Sequence, residues 1–201
     1  WSSDVCSSDL EGETGYIVKT SKSGSLYWSI NPSGKLSIRG KGNYGDDVAI
    51  GTSTLGVTQY APAWTEYADE ITEAEVMVTG ITTLKNMFYK CSNMKNVSFA
   101  GSDTSKVTTM YELFYLCSAL EQVDFTDFST DSCSDLGAMF YGCESLKNVD
   151  VSGFSTAKAV SMQFMFYYCG KLKGLDLSSF DTTNVQYMNY MFCDSVSLAE
   201  L

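Results

Sequence analysis

Apolar residues recur through most of the chain at a constant interval of 26 residues. The copy between residues 162 and 180 begins with four apolar residues at positions i, i+3, i+4 and i+7, namely Met162, Met165, Phe166 and Cys169. This spacing places four side chains on one face of a short helix. The period then changes, because Leu175 and Leu177 alternate with a polar residue as they would in a strand. The pattern therefore predicts one short helix and one short strand in each copy.

The repeat has no insertion or deletion between its copies. The clearest column consists of four cysteines at 26-residue spacing, Cys91, Cys117, Cys143 and Cys169. A threonine column has the same spacing, Thr104, Thr130, Thr156 and Thr182. The strand segment from Leu172 to Phe180 reads Leu-x-x-Leu-x-Leu-x-x-Phe, which is close to the strand signature of leucine-rich repeats. A unit of this size buries too little apolar surface to fold alone, so we expect the copies to stack. The fold class predicted is an α/β repeat, a leucine-rich-repeat-type solenoid with one strand and one helix per 26-residue unit.

The remaining parts of the chain are expected to differ from the repeats. Residues 1–10 resemble the translation of a sequencing adapter, so we exclude them from the prediction of the fold. Residues 11–59 are predicted to form a small β region with a hairpin around Asn31-Pro32-Ser33-Gly34. Residues 60–80 look like a degenerate first repeat that caps the array, and residues 81–201 form the solenoid, truncated at its C-terminus.

Composition excludes several functions. The formal net charge of the 201 residues is −11, so a nucleic acid would be repelled. The chain has no histidine, which removes Ser-His-Asp and Cys-His catalysis and histidine metal ligands. No apolar run is long enough to span a membrane. We expect no cofactor, no metal site and no enzymatic activity.

The cysteine column allows two interpretations. Because the four cysteines lie on the core side of the predicted helix, they can be buried free thiols that act as small apolar residues. Stacked positions about 5 Å apart are also within reach of disulfide bonding, so a ladder of disulfides is the alternative.

Several segments taken together resemble a known family. They are Gly24-Ser25-Leu26-Tyr27-Trp28-Ser29-Ile30, the stretch from Asn31 to Gly42, Ala61-Pro62-Ala63-Trp64 and Met165-Phe166-x-x-Cys169-x-x-Leu172. In this order they resemble BspA-like leucine-rich-repeat surface proteins. The resemblance implies a bacterial protein, secreted or on the cell surface, that binds a host matrix protein, a cell-surface protein or a glycan without enzymatic activity. It also implies a signal peptide and an anchor that are missing from this sequence.

Two columns are predicted to face away from the core and are the candidate partner-binding face. The first consists of Asp124, Asp150 and Asp176. It can be a solvated acidic surface, a patch for a basic partner or a Ca²⁺ site, and its spacing is also near that of the two carboxylates of retaining glycosidases. The second consists of Tyr89, Tyr115, Tyr141 and Tyr167, which can stack as structural side chains or contact sugars and partner side chains.

These observations lead to three functional hypotheses. The first is a non-enzymatic adhesion or interaction protein whose repeat face binds a protein or a glycan. The second is an architectural module that spaces or displays another domain. The third is an Asp-based glycan hydrolase, which is disfavoured because a smooth strand face offers no pocket.

Overall fold

The computed structural model describes residues 19–52 and 57–201, so the predicted adapter segment at residues 1–10 lies outside the described part. The strands are β1 (Lys19–Ser23), β2 (Leu26–Ile30), β3 (Lys35–Lys41), β4 (Val48–Thr52), β5 (Thr58–Ala61), β6 (Glu73–Thr79), β7 (Asn96–Ser98) and β8 (Gln122–Asp124). A single turn of 3₁₀-helix, Ala63–Tyr67, precedes β6.

Most strands belong to one six-stranded sheet with the order β1-β2-β3-β6-β7-β8. The first three strands are antiparallel, and β3, β6, β7 and β8 are parallel. The predicted hairpin is formed by β2 and β3, where the Asn31 side chain accepts hydrogen bonds from the backbone N–H groups of Ser33 and Lys35. Because β3 pairs with β6, the N-terminal β region and the first repeats share one continuous sheet.

The predicted helix in each repeat is wrong. Where the sequence pattern suggests a helix, the structure has runs of six turn residues, at 85–90, 111–116, 137–142, 163–168 and 189–194. Each run contains two residues with positive φ, four positions apart: Asn86 and Lys90, Glu112 and Leu116, Ala138 and Gly142, Phe164 and Tyr168, Tyr190 and Asp194. A left-handed residue cannot continue a right-handed helix, so two of them in each unit convert the helical segment into successive turns.

Backbone hydrogen bonds between neighbouring units explain why turns replace the helix. The N–H groups of Leu84, Asn86, Phe88 and Lys90 donate to the carbonyls of Thr109, Tyr111, Leu113 and Tyr115 at 2.9, 3.1, 3.0 and 2.8 Å. The same four bonds recur 26 residues later, for example from Gly142 to Tyr167 at 2.8 Å. Intervening N–H groups close local turns, such as Met87 to Leu84. Alternate N–H groups thus point along the stack, where a helix would use them internally.

The core is a column of phenylalanine rings with bonded polar columns beside it. The rings of Phe88, Phe114, Phe140, Phe166 and Phe192 stack at centroid separations of 5.6, 5.4, 5.3 and 5.9 Å. The buried hydroxyl of Thr130 donates to the Ser155 carbonyl at 2.9 Å and accepts from the Ser155 N–H at 2.7 Å. Each threonine therefore joins its own coil to the next one.

The N-terminal region supplies donors to the first coil in place of a preceding coil. The Tyr44 hydroxyl donates to the Lys85 carbonyl, and the Trp64 indole N–H donates to the Met87 carbonyl, both at 2.7 Å. The equivalent carbonyls of the second coil accept backbone N–H groups from the first coil. Tyr44 and Trp64 therefore satisfy acceptors that the edge of the stack would otherwise leave open.

Candidate functional site

The aspartate row lies on the exposed edge of successive coils, as the sequence pattern predicted. Asp124 ends β8, and Asp150 and Asp176 occupy the same position one and two repeats later. Each carboxylate accepts a hydrogen bond from the backbone N–H two residues onward, at 2.9 Å for Asp124, 3.0 Å for Asp150 and 2.9 Å for Asp176. This local bond is an Asx turn, which fixes the orientation of the carboxylate as the chain leaves the strand.

The same turns keep the row charged. The hydroxyl of Thr126 lowers the pKa of Asp124, and the hydroxyl of Ser152 lowers the pKa of Asp150. The Ser178 side chain lowers the pKa of Asp176 in the same way. Hydrogen bonds to a carboxylate favour its ionised form, and here they outweigh the repulsion between Asp150 and Asp176. The edge is therefore a row of negative charges at regular spacing.

The tyrosine row is a separate, half-buried stack. The rings of Tyr89, Tyr115, Tyr141 and Tyr167 lie nearly parallel, with successive centroid separations of 5.2, 4.7 and 4.7 Å. Desolvation of its hydroxyl raises the pKa of Tyr115 to about 12. Stacking covers the ring faces of the inner tyrosines, so these rings cannot lie flat on a sugar, as an aromatic platform for carbohydrate would require. What they offer to a partner is ring edges and hydroxyl groups.

The cysteine column is built from free thiols in the core. Cys91, Cys117, Cys143 and Cys169 are buried and unpaired. The Cys143 thiol donates to the Phe114 carbonyl at 3.3 Å, and Cys117 and Cys169 make the same bond to Phe88 and Phe140 at 3.1 Å. Burial raises the pKa of Cys169 to about 12, which makes its thiol a poor nucleophile. Of the two interpretations, the structure therefore has the apolar free thiols and not the disulfide ladder.

The sequence pattern missed a surface groove between the second and third coils. This groove of about 340 Å³ is lined by residues of the turn after β8 and of the equivalent turn one repeat later: Val123, Asp124, Phe125, Thr126, Phe128, Asp150, Ser152, Gly153 and Phe154. It contains two members of the aspartate row and none of the four tyrosines. The signal for it was the break in two repeat columns, where Val151 follows Phe125 and Gly153 follows Asp127.

A buried carboxylate was also missed. Glu112 is only 8% exposed, and its Oε2 atom has no hydrogen-bond partner. Desolvation raises its pKa, although Tyr111 and Lys85 act in the opposite direction. It occupies the left-handed column that contains Asn86 and Ala138, so its burial follows from the turn geometry that the helical prediction overlooked.

Among residues 19–52 and 57–201, no three His, Cys, Asp or Glu side chains lie together in a way that could hold a metal ion. Over the same described ranges, no helix is both long enough and apolar enough to cross a bilayer.

Residues 74–200 match the sequence model of a family described as "Mycoplasma protein of unknown function, DUF285". A leucine rich cell surface protein from Faecalibacterium prausnitzii is similar in structure, with 17% identity and a TM-score of 0.45, over 90% of this chain and 53% of that one. A leucine-rich repeat protein from Eubacterium ventriosum has 15% identity and a TM-score of 0.30, over 92% of this chain and 84% of that one. This chain thus spans about half the length of the first structure. No curated protein matches the sequence.

Proposed function

Because the chain belongs to the DUF285 family, whose function is unknown, we propose its role from its own surface: it is a non-enzymatic interaction module that binds a basic protein partner. The observation that carries this proposal is the row of Asp124, Asp150 and Asp176, exposed, ionised and oriented by Asx turns. Regularly spaced fixed charges attract a surface of opposite sign and determine its register. The BspA-like segments support a location on a bacterial cell surface or in secretions, with adhesion as the biological role.

A protein partner is favoured over a glycan by the tyrosine stack. A glycan-binding face needs free aromatic faces, whereas Tyr115 and Tyr141 each have a neighbouring ring on both sides. Tyrosine hydroxyls and ring edges suit the mixed polar and apolar contacts of a protein interface.

The aspartate row is poorly suited to glycoside hydrolysis. Such a reaction needs one carboxyl group whose raised pKa keeps it protonated as a general acid. Hydrogen bonds lower the pKa of Asp124, Asp150 and Asp176 alike, so none of the three would be protonated at neutral pH.

The test is binding of the purified chain to immobilised fibronectin and to whole mammalian cells, compared with a variant carrying Asp124→Asn, Asp150→Asn and Asp176→Asn. Asparagine retains the oxygen that accepts the turn hydrogen bond, so this variant should lose charge and keep its melting temperature. Exposed charge pairs contribute about 0.2–1 kcal/mol each, so we expect binding roughly 3- to 100-fold weaker. Binding of the unchanged chain should weaken as salt is added.

Equal binding by the two proteins would refute the proposal. Failure of both to bind any of these surfaces would favour the architectural spacer.

A further inference from the structure

The groove between the second and third coils results from a local loss of side-chain volume. In one column Phe99 and Phe125 are followed by Val151, and in another Asp127 is followed by Gly153. A Cβ atom added to Gly153 would meet nothing within 4 Å. The missing volume leaves the edges of Phe125 and Phe128 half exposed beside this gap.

The walls of the groove combine aromatic rings with carboxylates. Phe125 lies 4.8 Å from Phe128 and 5.1 Å from Phe154 between ring centroids, so the three rings form one cluster. Asp124 and Asp150 lie on the rim. The Ser152 N–H and hydroxyl both bond to Oδ1 of Asp150, at 3.0 and 2.6 Å. Its Oδ2 atom makes no hydrogen bond within the described chain and is available to a ligand.

We propose that this groove binds the guanidinium group of an arginine side chain from the protein partner. A guanidinium is planar and weakly hydrated, so it can lie against phenyl rings while its N–H groups donate to carboxylate oxygens. An ammonium group is more strongly hydrated and cannot make a planar two-bond contact, so lysine fits less well. This inference rests on the proposed function, because it identifies which basic side chain the acidic row recognises.

The chain provides a matched pair of glycines for testing the groove. Gly153 and Gly170 both lack a positive φ, and an added Cβ would have open space at either position. Leucine at position 153 would fill the groove, whereas leucine at position 170 would lie outside it. Both variants should therefore fold, and they should differ only in ligand binding.

The probe is a short peptide with blocked ends and one central arginine, titrated into the isotope-labelled chain and followed by amide NMR shifts. Versions with lysine or citrulline in place of the arginine serve as controls. We expect the arginine peptide to shift the signals of the turns around Thr126 and Ser152, and to bind at least fivefold more tightly than the lysine peptide. Gly153→Leu and, separately, Asp150→Asn should weaken binding at least fivefold, and Gly170→Leu should leave it unchanged.

Equal binding of the arginine and lysine peptides, no binding of the arginine peptide, or unchanged binding to Gly153→Leu would overturn the inference. If Gly153→Leu fails to fold, Asp150→Asn decides, because it retains the turn acceptor. The two proposals can also fail separately. Loss of fibronectin or cell binding in the triple Asp→Asn variant, without loss in Gly153→Leu, would retain the acidic row as an interaction face and eliminate the groove.

Discussion

Gly142→Ala tests the turn architecture, because helix and turn predict opposite signs for its effect. Gly142 occupies one of the left-handed positions, with φ of +70°. An alanine there costs roughly 1–2 kcal/mol in backbone strain, of which about 0.4–1 kcal/mol returns through lower entropy of the unfolded chain. The new methyl group would also lie 2.6 Å from Cδ2 of Leu116, which must move. We expect the free energy of unfolding to fall by about 1 kcal/mol.

The measurement is urea unfolding followed by circular dichroism. Gly170→Ala is the control, because this glycine has an ordinary φ and open space, and alanine there should raise the free energy of unfolding by about 0.4–1 kcal/mol. In the interior of a helix, Gly142→Ala would instead stabilise the protein by about 1 kcal/mol. A higher urea midpoint for Gly142→Ala at unchanged m-value would therefore refute the left-handed turn.

Three further substitutions test the bonds between coils and the buried carboxylate. Cys143→Ala removes a donor to the Phe114 carbonyl and should lower the free energy of unfolding by about 1–2 kcal/mol, whereas Cys143→Ser should cost less, as urea titration of both variants would show. Thr130→Val leaves the Ser155 N–H and carbonyl without their threonine partner, so a loss of about 1–3 kcal/mol is expected in the same assay. Glu112→Gln removes a buried charge and should raise the melting temperature at pH 7. Because the pKa of Glu112 is raised by folding, its native form holds a proton that the unfolded chain loses first, so stability falls as pH rises above the unfolded value of about 4.3. The advantage of the variant should therefore shrink towards pH 4, and an equal advantage at pH 4 and pH 7 would contradict this cause.

The 26-residue period predicted the stacking of the units and the identity of the buried columns, because both depend on side-chain burial alone. It did not predict the backbone between them. The spacing i, i+3, i+4 and i+7 of Met162, Met165, Phe166 and Cys169 also satisfies a run of turns that closes every third residue, such as Met165 to Met162. Phe164 and Tyr168, which carry the positive φ values, are residues in which that conformation is uncommon, so nothing in their identity indicated it.

The candidate site was predicted for the same reason and with the same limit. Asp124, Asp150 and Asp176 were placed on the exposed side because they alternate with apolar residues, and the structure has them there. The Asx turns that orient them needed one more observation, the serine or threonine two residues after each aspartate. The groove could not be read from any single repeat, since it exists only where the residues of adjacent copies differ in volume.

The last member of the cysteine column shows which property the architecture requires. Ser195 occupies the position 26 residues after Cys169, and its hydroxyl donates to the Phe166 carbonyl as the thiols do to the earlier phenylalanines. The column therefore requires a small donor directed at the preceding coil, and sulfur is one of two ways to supply it. An outward column has no such requirement, and Ser98 stands in line with the three aspartates of the acidic row. The inward columns thus fix the spacing of the coils, and the chemistry of a binding face can change at the outward columns without altering that spacing.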